Sequence, residues 1–213
     1  MLTAAVIGCG HGGGLSLDAL HGSVRYQPIA AADPSAAARH GVADRFPDVR
    51  AFADFHEMLA DCPSDVVCIA TPAPSHASIA REVLGHQPRG LLLEKPLAPG
   101  VSTAETLLRE VRDAGCPAVV PHGLLVLPAT QEVKARIRRG DIGNIVSVEV
   151  QNAVDLLNAG IHWLVYLIDV FDNDRPTSVT ARFDVSDHVV NDGVQVESIG
   201  TTTVELQSGI RIR

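Results

Sequence analysis

The stretch AVIGCGHGGG, residues 4–13, constrains the fold more than any other in the chain. A short apolar run leads directly into Gly8, Gly10 and Gly13 at GxGxxG spacing, and a helical pattern opens on the last of them. In such a strand–turn–helix the first glycine permits the tight turn. The second lets backbone approach a pyrophosphate, and the third lets helix and strand pack closely. The helix N-terminus adds unpaired N–H groups that favour an anion. The context is completed by PIAAADPS, residues 28–35, which delivers Asp33 at the end of a second apolar run. An acidic group there bonds a ribose 2′-hydroxyl and repels a 2′-phosphate. The pattern predicts a dinucleotide cradle of Gly8, Cys9, Gly10, His11, Gly12 and Gly13, with Asp33 favouring NAD and NADP as second choice.

The rest of the first half repeats this rhythm. Apolar runs at 4–7, 28–32, 66–70, 90–93 and 118–120 alternate with helical patterns at 12–20, 35–45, 55–60, 75–84 and 102–114. Short continuous apolar strands alternating with helices imply a parallel sheet covered on both faces. Residues 1–120 therefore read as a doubly wound α/β domain. After Pro121 the pattern changes. A helix over 128–139 leads through GDIGN into a strand at 145–151; a helix over 158–171 and strands at 177–185, 194–206 and 209–213 follow. This predicts a smaller, incomplete α+β domain over 121–213 with a mainly antiparallel open sheet. Its last strand, GIRIR, is expected at a sheet edge, charged by Arg211 and Arg213 and paired or packed against a partner subunit.

Composition narrows the partners. A formal net charge of −8 argues against nucleic acid or an anionic membrane surface. The one dense basic cluster, Arg136, Arg138 and Arg139, suits a helix C-terminus. Cys9, Cys62, Cys68 and Cys116 are scattered without metal-like spacing, so inert thiols in a reducing compartment and no metal are expected. The run at 2–7 behaves as a first strand, and no apolar run has the length of a membrane span. A soluble cytoplasmic protein is expected.

In GLLLEKPLAPG, residues 90–100, an apolar strand runs into Glu94, Lys95 and Pro96. Proline disfavours helical geometry at the residue before it, so Lys95 is held extended at the carboxyl end of a parallel strand. Ligands bind at that edge, where a lysine can polarise a substrate oxygen or be tuned into a base.

AVIGCGHGG, ATPAPSHASIA, LLLEKPLA, GDIGNIVSVEV and NAGIH occur in that order along essentially the whole chain. The ordered set resembles the glucose–fructose oxidoreductase / inositol dehydrogenase (Gfo/Idh/MocA) family. The resemblance implies a Rossmann domain carrying NAD or NADP. It also implies an α/β domain with an open sheet that closes the substrate site and often mediates oligomers. It places Thr71, Pro72 and His76 beside the cofactor and Glu94 and Lys95 near the nicotinamide, with a cis Lys95–Pro96 bond. His76, at the start of a helix, has capping or packing as its equal alternative. Family members are generally longer than this chain.

The family's second-domain motif is an Asp followed four residues later by His; here it reads Asn158 to His162. Residues four apart share a helix face. By resemblance His162 takes the substrate hydroxyl proton, a task suited to its near-neutral pKa, while Lys95 stabilises charge developing on the oxygen. Asn158 can bond the imidazole but brings no charge, and Asp155 is a candidate for the missing carboxylate. Leu125 and Val165 stand where many members have an arginine and an acidic residue. The expected function is NAD(P)-dependent oxidation or reduction of a small hydroxyl, carbonyl or imine compound, by a homo- or hetero-oligomer. The alternatives are a catalytically weakened dinucleotide-binding partner subunit and an NAD-dependent redox-neutral lyase or hydrolase.

Overall fold

The opening apolar run forms β1 (Leu2–Ile7), and the glycine turn after it starts α1 (His11–His21). The structure, a computed structural model, describes residues 1–152, 154–172, 174–191 and 193–213. It divides into two compact units, Met1–Pro121 and His122–Arg213.

In the first unit the chain continues through β2 (Tyr26–Ala32), α2 (Ala36–Arg45), β3 (Arg50–Phe52), α3 (Phe55–Asp61), β4 (Val66–Ile69) and α4 (Ala73–Gly85). It ends with β5 (Gly90–Leu93), α5 (Val101–Asp113) and β6 (Ala118–Val119). The sheet order is β3-β2-β1-β4-β5-β6, and every pairing is parallel. This is the strand order of a doubly wound dinucleotide fold, reversing direction between β1 and β4. Alternation along β1 feeds both layers. Ala5 and Ile7 join Met58 of α3, Ile79 and Val83 of α4 and Leu107 of α5, while Ala4 and Val6 join Leu17 of α1 and Val42 of α2. Strand β3 has no counterpart in the sequence reading. It is three residues long, and Arg50 and Ala51 are exposed, so no apolar run announces it.

The second unit contains α6 (Pro128–Arg139), β7 (Ser147–Val148), α7 (Ile161–Val170), β8 (Pro176–Asp184), β9 (Val190–Asn191), β10 (Val194–Gln195), β11 (Ile199–Leu206) and β12 (Arg211–Ile212). Its four-stranded sheet runs β7-β12-β11-β8; β8 and β12 lie antiparallel to β11, and β7 lies parallel to β12. Tyr166, Leu167 and Val170 of α7 pack with Val204, Leu206 and Ile212 of the sheet. Ion pairs Lys134–Asp169 and Arg138–Asp172 join α6 to the end of α7.

Two expectations are corrected here. The run at 194–206 is two strands, because β10 turns back on β9 before β11 begins. The terminal GIRIR strand is not an edge. β12 lies inside the sheet, with backbone bonds from Arg211 and Arg213 to Val146 and Val148 on one side and Cα partners in β11 on the other. The edges of this sheet are β7 and β8. No helix among the described residues is long and apolar enough to cross a membrane.

Candidate active site

Four neighbouring strands of the first unit end together, each at or within two residues of a position singled out in the sequence. The ladder continues one residue past each strand: Gly8 N–H donates to Ala32 O, Asp33 N–H to Phe52 O, Ala70 N–H to Ile7 O and Glu94 N–H to Ile69 O, all at 2.8–3.0 Å. Gly8, Asp33, Thr71 and the Glu94–Lys95 pair thus line one carboxyl edge, across the point where the strand order reverses. Ligands of open α/β sheets bind in that crevice.

The three glycines have distinct local reasons. Gly8 has φ +90°, and a Cβ there would lie 2.6 Å from the Ala70 carbonyl oxygen. A Cβ on Gly13 would lie 1.8 Å from the Gly8 carbonyl oxygen, so α1 approaches β1 only without one. At Gly10, by contrast, a Cβ would meet no protein atom within 4 Å, and the backbone is extended. The protein itself therefore does not require glycine at position 10. A backbone that must be approached by a ligand does, and this is the fit expected of a pyrophosphate cradle. His11 begins α1 and is exposed; Gly12 faces the Glu94 side chain, whose Cγ is 3.5 Å from where a Cβ would be.

Asp33 links the turn to the second strand. Its Oδ2 accepts the Cys9 N–H and its Oδ1 the Ser35 N–H, each at 2.8 Å. The Arg39 guanidinium donates to the Asp33 and Pro34 carbonyls at 2.8 and 2.9 Å. Burial, with the Asp33 charge added, pushes the Cys9 thiol up to about 12, so this sulfur is a neutral packing group. Past β4, the Ser75 hydroxyl lies 2.8 Å from Thr71 Oγ1 and 2.7 Å from the Pro72 carbonyl. His76 is 1% exposed, and its Nε2 lies 2.6 Å from the Thr71 carbonyl. Donation from Nε2 fixes the Nε2–H tautomer, and Nδ1 is buried without a hydrogen-bond partner among the described residues. His76 packs the Thr71 segment against its own helix. Past β5, the Lys95 N–H donates to Glu94 Oε2 at 3.2 Å, and the Lys95–Pro96 bond is cis.

In the second unit, Asn158 and His162 do not sit on one continuous α-helix. Residues Leu156–Gly160 form a π turn, capped by Asp155, and α7 begins at Ile161. The helix is thus interrupted between the two residues, and π turns of this kind recur at functional sites. The Asn158 amide donates to both Asp155 oxygens at 3.0 and 3.1 Å, and Asn191 donates to Oδ2 at 2.9 Å. Partial burial raises the Asp155 pKa, but the bonds from Asn191 and Asn158 outweigh it and hold the carboxyl below its ordinary range. The Asn158 side-chain oxygen, Oδ1, is buried with no hydrogen-bond partner among the described residues.

The contact that sequence reading missed is His122. Its Nδ1 lies 3.1 Å from Nδ1 of His162, with the rings edge-to-face at 75° and 5.1 Å between centroids. Forty residues separate the two, and no periodicity links them. A cavity of about 630 Å³ opens on another face of α7, lined by Gly160, Trp163, Leu164 and Leu167, and neither histidine lines it. Among the described residues, no three His, Cys, Asp or Glu side chains group to hold a metal.

Comparison with known proteins bears on the same residues. The oxidoreductase family with an NAD-binding Rossmann fold, GFO_IDH_MocA, matches residues 2–122. D-apiose dehydrogenase of Paraburkholderia graminis is 26% identical over 97% of this chain and 58% of its own length. D-apiose dehydrogenase of Rhizobium rhizogenes is 30% identical over 67% of this chain and 41% of its own. An Agrobacterium radiobacter oxidoreductase, solved with NAD+, L-tartaric acid and magnesium, superposes with a TM-score of 0.83. It is 25% identical, over 99% of this chain and 65% of that one. The chain thus spans less than two thirds of the length of these relatives.

Proposed function

The chain belongs to the Gfo/Idh/MocA oxidoreductase family, with the NAD-binding Rossmann fold over residues 2–122, and from that premise we propose that it takes part in NAD-dependent dehydrogenation of a small sugar-like hydroxyl compound. The observation that carries this reading is the alignment of Gly8–Gly13, Asp33, Thr71 and Glu94–Lys95 on one carboxyl edge around the reversal of strand order. The D-apiose dehydrogenases among its relatives support the substrate class.

In this proposal NAD, when bound, accepts the hydride. The glycine turn receives the pyrophosphate at the N-terminus of α1, and Asp33 accepts a hydrogen bond from the adenine ribose. Thr71, Pro72 and His76 shape the wall beside it. The Lys95 ammonium stabilises negative charge on the substrate oxygen, and His162 takes the hydroxyl proton as the carbon–hydrogen bond breaks. The oxygen's electron pair becomes the new carbonyl bond, so one proton stays with the protein and one hydride leaves with the cofactor. Assembly through the second-unit sheet belongs to the same proposal, since edge strand β8 is exposed along its whole length.

The test is nicotinamide absorbance over a panel of aldoses, polyols and 2-hydroxy acids. Reduced nicotinamide is expected to accumulate with a sugar-like member of the panel. Lys95→Met and His162→Ala are expected to lose turnover while keeping NAD binding. A folded wild type that binds NAD yet reduces it with no panel member would favour the second reading, a dinucleotide-binding partner subunit. The amide at position 158, bonded to Asp155, is the observation behind that alternative.

Cofactor preference gives a further prediction. Asp33→Ser removes the charge that repels a 2′-phosphate, while a hydroxyl can still accept one N–H of the turn. Because like-charge juxtaposition costs several kcal/mol, the NADP-to-NAD affinity ratio should rise at least ~10-fold. An unchanged ratio in competition titrations would remove Asp33 from cofactor selection.

A further inference from the structure

In proposing His162 as the proton acceptor, the reading above leaves open what orients its ring. The sequence motif offers Asn158, but that amide is bonded to Asp155. The atom 3.1 Å from His162 Nδ1 is instead Nδ1 of His122.

The histidine at 122 is well anchored. Its carbonyl accepts the Leu125 N–H at 3.0 Å, closing the 3₁₀ turn Gly123–Leu125. That turn is tied to α6, where Gln131 donates to the Leu125 carbonyl and the Thr130 hydroxyl to that of Leu124. Thr130 in turn offers its carbonyl to the Tyr166 hydroxyl of α7 at 2.7 Å, so the turn and the His162 helix are linked to the same segment.

Two Nδ1 atoms at hydrogen-bond distance hold one proton between them. If His122 donates, His162 carries its own proton on Nε2 and has no lone pair there to accept another. If His162 donates, its lone pair is on Nε2. A residue that alternates between imidazole with an Nε2 lone pair and imidazolium keeps a proton on Nδ1 in both states. Its partner must then be an acceptor in both.

We propose that His122 is a positioning residue for His162: its Nδ1 accepts the His162 Nδ1–H and so fixes the tautomer whose proton-accepting atom is Nε2. This rests on the proposed role of His162. It assigns to a neutral imidazole from a distant segment the orienting task a carboxylate performs in a catalytic triad. In that role the proton of the His122 ring sits on Nε2. Such a partner supplies orientation without the attraction to the imidazolium that a carboxylate brings.

The experiment is ¹⁵N-correlated NMR of the histidine rings in the whole chain, which requires no substrate. Wild type is expected to show His162 with a protonated Nδ1 and an unprotonated, pyridine-like Nε2. His122→Asn, whose amide oxygen replaces the acceptor, should keep that signature. In His122→Leu it should give way to the Nε2–H form for at least half the population. Turnover should follow: kcat falls roughly tenfold or more in His122→Leu, with KM nearly unchanged, and recovers in His122→Asn. A wild-type His162 carrying its proton on Nε2 overturns the proposal without recourse to any variant. So does a His122→Leu protein whose His162 tautomer is unaltered. The tautomer is read without turnover, so failure of the dehydrogenase reading shows in the absorbance assay and failure of this inference in the ring nitrogens.

Discussion

Gly13→Ala is expected to lower the thermal midpoint by roughly 10 °C, a destabilisation of about 3 kcal/mol at the upper end of what overpacking costs. The added Cβ would lie 1.8 Å from the Gly8 carbonyl oxygen and 2.8 Å from its carbon, both backbone atoms with no rotamer to yield. Relief requires α1 to lift away from β1, and Leu17 and Leu20, which are buried from α1 against Ala4 and Val6, would lose packing. Thermal denaturation followed by circular dichroism checks this. A midpoint unchanged from wild type would mean that α1 and β1 do not approach as described.

Gly10→Val is expected to behave in the opposite way. The position is exposed, its backbone is extended, and nothing stands within 4 Å of an added Cβ. The fold should lose only about 1 kcal/mol, the scale of changing an N-cap residue. The branched side chain would fill the space through which a pyrophosphate reaches the helix N-terminus, so NAD affinity should fall by ~100-fold or more, about 2.7 kcal/mol. The pair separates two uses of glycine that a sequence pattern merges: position 13 serves the protein's own packing, position 10 its ligand. If Gly10→Val bound NAD as wild type does, the cofactor would have to lie elsewhere on the unit.

The first unit was legible because its determinants are local. Short apolar runs such as VVCI and GLLL need a sheet covered on both faces, and the glycine turn and Asp33 fix where two of them end. β3 escaped because a three-residue strand with two exposed positions carries no hydrophobic period. The second unit was less legible because its strands are short and depend on distant partners. β12 gains its place from β7 and β11, which the run GIRIR does not announce. The π turn at Leu156–Gly160 was hidden in a sequence that reads as helix throughout, since hydrogen bonds to Asp155 and Glu197, and not residue periodicity, define its start. Residues 158–171 therefore read as one uninterrupted helix. His122 could not be found by spacing at all; its relation to His162 exists only in the folded chain.

Calorimetric titration of the folded wild-type chain with NAD, with Gly10→Val titrated beside it, tests whether the glycine turn holds the cofactor. Saturable binding at one site per chain is expected for wild type, and its loss in a variant that still melts cooperatively. A wild-type protein with an intact melting transition and no heat of NAD binding would contradict the central claim.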